Sequence, residues 1–125
     1  MANFRSYENQ LKNYLLSRVK NRDDLQSAMR KYGSIRFAMN HERYDRPHFI
    51  IRMGISEAVF DIDTGGQLGG GLGPDSSEIK AWIARYMKKE EIKAAWQAGH
   101  KEYLTKKELE DRIAEREAKK KNRFD

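Results

Sequence analysis

His48-Phe49-Ile50-Ile51-Arg52-Met53, the turn Gly54-Ile55-Ser56, and then Glu57-Ala58-Val59-Phe60-Asp61-Ile62 is the stretch that decides the fold. Two short runs rich in β-branched and aromatic residues, joined by a glycine turn, read as adjacent antiparallel strands. Upstream, Ile35, Phe37 and Met39 alternate with Ser34, Arg36 and Ala38, the period of a half-buried strand. Downstream, Asp63-Thr64-Gly65-Gly66 makes another turn, because glycine tolerates the positive φ that tight turns require. A weak fourth strand is expected over residues 67–72. The centre of the chain is therefore a small antiparallel meander of three or four strands.

Outside this centre the period becomes helical. Tyr7, Leu11, Tyr14, Leu15 and Val19 share one face of a helix over residues 5–19. Asn21 or Asp23 caps a second short helix bearing Leu25, Met29 and Tyr32, and Gly33 ends it. After Pro74, Ile79, Trp82, Ile83, Tyr86 and Met87 form a continuous apolar stripe, with Asp75, Ser76 or Ser77 as N-cap. Ile92, Ala95, Trp96 and Tyr103 form the next, with a bend expected near Lys88–Glu90 and a stop near Gly99. Residues 105–125 form a charged helical tail in which Thr105 and Glu108 fit a capping box and only Leu109 and Ile113 are candidates for burial. The expectation is one α+β domain over residues 1–104. Residues 1–32 are helical, 34–72 form the antiparallel sheet, and 75–104 are helices. The sheet's apolar face should pack on the Trp82 and Trp96 stripe.

Of the 125 residues, 38% are hydrophobic and 35% charged, so part of the length is solvated rather than packed. With no cysteine, the chain has no disulfide, zinc–thiolate site or cysteine nucleophile. No apolar run approaches a membrane span, and the N-terminal stretch is polar, so a cytoplasmic protein with no membrane partner is expected. The net charge of +6 is concentrated at the ends. Residues 1–32 carry 7 basic and 3 acidic side chains, residues 105–125 carry 8 and 6, and residues 33–74 carry 4 and 5.

The densest chemistry lies in His41, Glu42, Arg43, Tyr44, Asp45 and Arg46, with His48 opening the next strand. Two imidazoles suit a metal-independent ribonuclease, one taking the 2′-hydroxyl proton and the other protonating the leaving oxygen while an arginine holds the phosphate. A polar loop with Pro47 fixing the start of the strand is the simpler reading. A metal set of His41, Asp45 and His48 has helical spacing, but Pro47 and the β period argue against a helix there, and no metal or other cofactor is expected. The run Gly65–Gly73 precedes a helix but lacks the Lys-Ser/Thr of a phosphate-binding loop. Trp82 and Trp96 read as core, and His100 is assigned no role.

The order Phe37, His41-Glu42, Arg46-Pro47-His48-Phe49-Ile50, Ala58-Val59-Phe60-Asp61-Ile62-Asp63-Thr64-Gly65, Gly71-Leu72-Gly73-Pro74, Trp82-Ile83 and Trp96 resembles the bacterial family called domain of unknown function 4160 over about residues 35–100. The chain departs from that pattern at Ile50, where the family has the second histidine of a His-x-His pair. The resemblance implies a small bacterial or phage protein of toxin–antitoxin or mobile-element kind, and carries over no defined activity.

The leading expectation is a non-enzymatic binding or regulatory protein acting on nucleic acid or a nucleoprotein. Its candidate contacts are Arg18, Lys20, Arg22, Arg30, Lys31, Arg36, Arg43, Arg46, Arg52, Lys119, Lys120 and Lys121. The alternatives are a protein-binding toxin–antitoxin component or phage inhibitor of a host complex, and the ribonuclease using His41 and His48. The sequence leaves the oligomeric state open.

Overall fold

The computed structural model describes residues 4–41 and 46–122, with side chains up to residue 118. Two helices, α1 (Phe4–Ser17) and α2 (Arg22–Gly33), precede four strands: β1 (Arg36–Ala38), β2 (His48–Met53), β3 (Ser56–Asp61) and β4 (Gln67–Gly71). A 3-10 turn (Gly73–Asp75) leads into α3 (Ser76–Tyr86), and α4 runs from Lys89 to Asn122. The strands form one antiparallel sheet in the order β1-β2-β3-β4. The α+β architecture is that expected from the strand and helix periods.

One face of the sheet carries the core. Phe49 pairs with Phe60 in register, and Phe37, Phe49 and Phe60 form a row of rings about 6 Å apart. Trp82 of α3 meets Phe37 edge-on, and Tyr7 of α1 touches both, stacked on Phe37 and edge-on to Trp82. Leu11, Leu15, Ile79 and Ile83 complete this layer, so α1 and α3 cover the sheet together. Among the described residues of α2 none is buried, and Leu25 and Met29 remain exposed. That helix is held at its ends. Asn21 Oδ1 accepts from Asp23 N–H, and at the other end Tyr32 donates to Asp75 while Lys31 pairs with it. Asp75 is thus occupied by α2 and makes no side-chain cap to α3. Burial and the Asp75 carboxylate together push the Tyr32 phenol up to about 12.

Two expectations about the C-terminal region need correction. The stop near Gly99 does not occur: Gly99 is helical, not in the left-handed region, and α4 runs unbroken through it for a total of 34 residues, Lys89–Asn122. Thr105 accordingly does not cap a new helix; its hydroxyl donates back to Lys101 O within α4, and Glu108 pairs with Arg112. The bend before α4 does occur, at Met87-Lys88, where Met87 is extended. Beyond Tyr103 the described part of α4 is exposed, Leu109 and Ile113 included. Trp82 packs on the sheet face as expected. Trp96, although buried, meets a group of histidines described below.

Gly70 lies at φ +71°, and a Cβ there would fall 2.0 Å from the carbonyl oxygen of Glu57 on the paired strand. Gly54, at φ +62°, faces open space. Both positions impose the left-handed cost of about 1–2 kcal/mol on alanine, but only Gly70 adds a backbone collision. Gly70→Ala is therefore expected to lower the urea midpoint clearly more than Gly54→Ala; equal losses would show that β4 does not hold this register.

Candidate functional site

The segment between β1 and β2 returns to the sheet at Arg46, and its return is fixed by Asp61. Asp61 faces His48 in the β2–β3 register, and both are buried. Its Oδ1 accepts from the N–H groups of Asp63 and Thr64, and the carboxylate pairs with the Arg46 guanidinium. Such a carboxylate is stable inside only when paired and hydrogen-bonded. Next to this pair, His48 Nδ1 lies 2.6 Å from the carbonyl oxygen of Arg46, an acceptor, so Nδ1 carries a proton and donates it there. Pro47 adds its carbonyl, which accepts from Ile62 N–H.

Three histidines gather around Trp96. Trp96 and His100, four apart on α4, stack with centroids 4.4 Å apart and planes 14° apart. His41, just beyond β1, places its ring 5.4 Å from both Trp96 and His100, and His48 approaches Trp96 at 6.0 Å. Tyr103 closes the outer side, 6.1 Å from His41 and 5.9 Å from His100. Gly99 makes the approach possible: a Cβ there would lie 2.8 Å from His41 Nε2. Nδ1 of His41, Nδ1 of His100 and Nε1 of Trp96 are withdrawn from solvent without a hydrogen bond. Burial, then the neighbouring His100 and His48, hold His41 below the ordinary imidazole value.

Thus His41 and His48, singled out in the sequence, lie in one cluster, His48 fully enclosed and His41 half-buried. His100, assigned no role there, is a full member. The signal was available as the i,i+4 spacing of Trp96 and His100, but the expected stop at Gly99 concealed it. Glu42, Arg43, Tyr44 and Asp45 lie outside the described residues, as do the side chains of Lys119, Lys120 and Lys121. Among the described residues no three His, Asp or Glu side chains converge as a metal-ligating set.

The other basic residues divide by commitment. Arg18 pairs with Glu78, Lys31 with Asp75, Arg46 with Asp61 and Arg52 with Glu57. Arg36 stands opposite Arg52 in register and donates to the carbonyls of Gly33 and Ile35. Lys20, Arg22 and Arg30 have no ion-pair partner among the described residues, nor do Arg5 and Lys12, which sequence reasoning did not single out. Arg5 and Lys12 line a groove of about 420 Å³ with Glu8, Asn9, Tyr32 and Arg36, between α1, the end of α2 and β1. Its one carboxylate among the described residues, Glu8, accepts from Phe37 N–H.

No family model, curated protein or solved structure matches the chain. Among the described residues no helix is long and apolar enough to cross a membrane.

Gly99→Ala tests the packing of the cluster. Alanine favours a helix by about 1 kcal/mol over glycine, yet here its methyl displaces His41. We expect the His41 imidazole, followed by NMR titration, to rise toward the ordinary value of about 6.5 in this variant. A second expectation concerns pH. The folded chain holds His41 below its unfolded value, so the unfolded chain binds the proton more readily. Its contribution to stability is present above about pH 6.5 and is lost as pH falls through the lowered folded value. Urea unfolding at pH 7.5 and pH 5 should show a larger acid loss for the wild type than for His41→Gln.

Proposed function

We propose that the protein is a small regulatory protein of the cytoplasm that binds nucleic acid through the α1–α2 hairpin. The observation that carries this reading is the groove between α1 and β1, where Arg5, Lys12 and Arg36 surround a space whose only carboxylate among the described residues is turned onto a backbone N–H. Phosphate oxygens fit such a surface, because the cations retain net positive potential and two of them have no ion-pair partner among the described residues. Lys20, Arg22 and Arg30 extend the positive surface along the same hairpin, and residues 1–32 hold a net charge of +4. The side chains of Arg18, Lys31, Arg46 and Arg52 serve the fold through their carboxylate partners and contribute less. The resemblance to the bacterial family, with its toxin–antitoxin and mobile-element associations, agrees with a regulatory role.

Fluorescence anisotropy with labelled single-stranded RNA, single-stranded DNA and duplex DNA, across a salt series, tests the reading. Affinity should fall steeply with salt, and each phosphate contact removed by Arg5→Ala, Lys12→Ala or Arg36→Ala should reduce the log–log slope by about 0.7–0.9. Arg52→Ala should leave the slope unchanged. Binding that ignores salt, or that is lost equally in all four variants, would remove the groove from the account.

A further inference from the structure

We propose that the groove between α1, the end of α2 and β1 is a site for a phosphomonoester, the phosphorylated end of a nucleic-acid strand. The inference rests on the nucleic-acid reading above and names the part of the strand that enters the groove. Among the described residues the lining sets three cations, Arg5, Lys12 and Arg36, against the single carboxylate of Glu8, a net charge of +2. A phosphodiester within a strand carries one negative charge, whereas a phosphomonoester carries about 1.5–2 at neutral pH and has three free oxygens. The lining therefore balances the terminal group and over-balances an internal one. Size points the same way. A groove of about 420 Å³ lies within the range of about 300–1,000 Å³ of small-molecule sites, so it takes one nucleotide and not a run of phosphates.

The side chains are arranged for this ligand before it arrives. Arg36 Nη1 donates to the carbonyl oxygens of Gly33 and Ile35, at 3.0 and 2.7 Å, which fixes the guanidinium. Its Nε and Nη2 have no partner among the described residues. A planar fork of free N–H groups takes two phosphate oxygens at once. Lys12 is only partly exposed, yet neither it nor Arg5, two turns back along α1, has an ion-pair partner among the described residues. Glu8 does not neutralise them, because its Oε2 is taken by Phe37 N–H. Tyr32 is anchored by the hydroxyl it donates to Asp75 at 2.9 Å, a residue outside the lining, so its ring is a fixed wall of the groove. Lys20, Arg22 and Arg30 also stand outside the lining, along the same hairpin, and serve the phosphates further along the strand.

The test uses the full chain and one internally labelled oligonucleotide in three forms: with a 5′-phosphate, with a 3′-phosphate, and with hydroxyls at both ends. Fluorescence anisotropy at constant salt and pH 7.5 should show one phosphorylated form binding at least about tenfold more tightly than the hydroxyl form, and that form identifies the end. The ratio should shrink at pH 5.5, below the second phosphate pKa of about 6. Lys12→Gln and Arg36→Lys, with folding established by circular dichroism, should each lower the ratio at least about threefold. Arg36→Lys keeps the charge and removes only the fork. Lys20→Ala with Arg22→Ala should weaken every form alike and leave the ratio unchanged. Salt-sensitive binding with equal affinity for all three forms overturns this inference and leaves the binding proposal standing. A preference undiminished in both folded groove variants also overturns it. Saturable binding of uridine 5′-monophosphate, read by NMR, with no affinity for any strand overturns the strand as the source of the phosphomonoester and the nucleic-acid reading with it.

Discussion

Burying the Asp61 carboxylate sets the terms for the rest of the molecule. A charge almost wholly withdrawn from water needs partners, and here they come from two directions. Two N–H groups close the β3–β4 turn onto Oδ1, and the Arg46 guanidinium is drawn in from the far end of the β1–β2 connection. The turn so formed then receives α4: Lys89 donates to the Asp63 carbonyl, and Lys93 pairs with its carboxylate. Drawing Arg46 inward also places its carbonyl where His48 Nδ1 meets it, which directs the other nitrogen of that ring. Sheet and connection are thus tied to one carboxylate and α4 to the turn that it shapes, and the histidine cluster forms where they meet.

The second organising feature is the row of Phe37, Phe49 and Phe60 under Tyr7 and Trp82. It fixes the opposite face of the sheet, so the molecule has an aromatic side for stability and a histidine side at the strand ends. A division of this kind lets polar groups collect without a gap in the core, because the layer beneath is already complete.

Most of the fold was legible because its strands are short, strictly patterned and separated by turn residues. The alternation at Phe37, the Gly54 turn and the stripe from Ile79 to Met87 each have a local physical cause, and each appears where that cause places it. What failed to read was long-range. Gly99 resembles a stop because glycine commonly ends helices, but here its role is tertiary: it leaves room for a ring from the β1–β2 connection. Asp75 resembles an N-cap, yet Tyr32 and Lys31, more than forty residues away, use it first. The site was half legible for the same reason. His41 and His48 stand out by proximity in sequence, whereas His100 joins them only once α4 is folded back along the strand ends. The basic surface was legible in sum and not in detail, since charge counting does not distinguish Arg18, bound to Glu78, from Arg22, bound to nothing among the described residues.

The continuity of α4 has a mechanical consequence. Of its 34 residues, those after Tyr103 extend past the body as a rod of about 27 Å, at about 1.5 Å per residue. A rod anchored at one end converts rotation into displacement, and a tilt of about 5° at Trp96, roughly 39 Å from the end of the helix, moves the tip by about 3 Å. The reverse also holds: a load applied at the tip is felt at Trp96 and His100 with that leverage. Whatever grips the distal helix therefore has a handle on the imidazole packing without touching it.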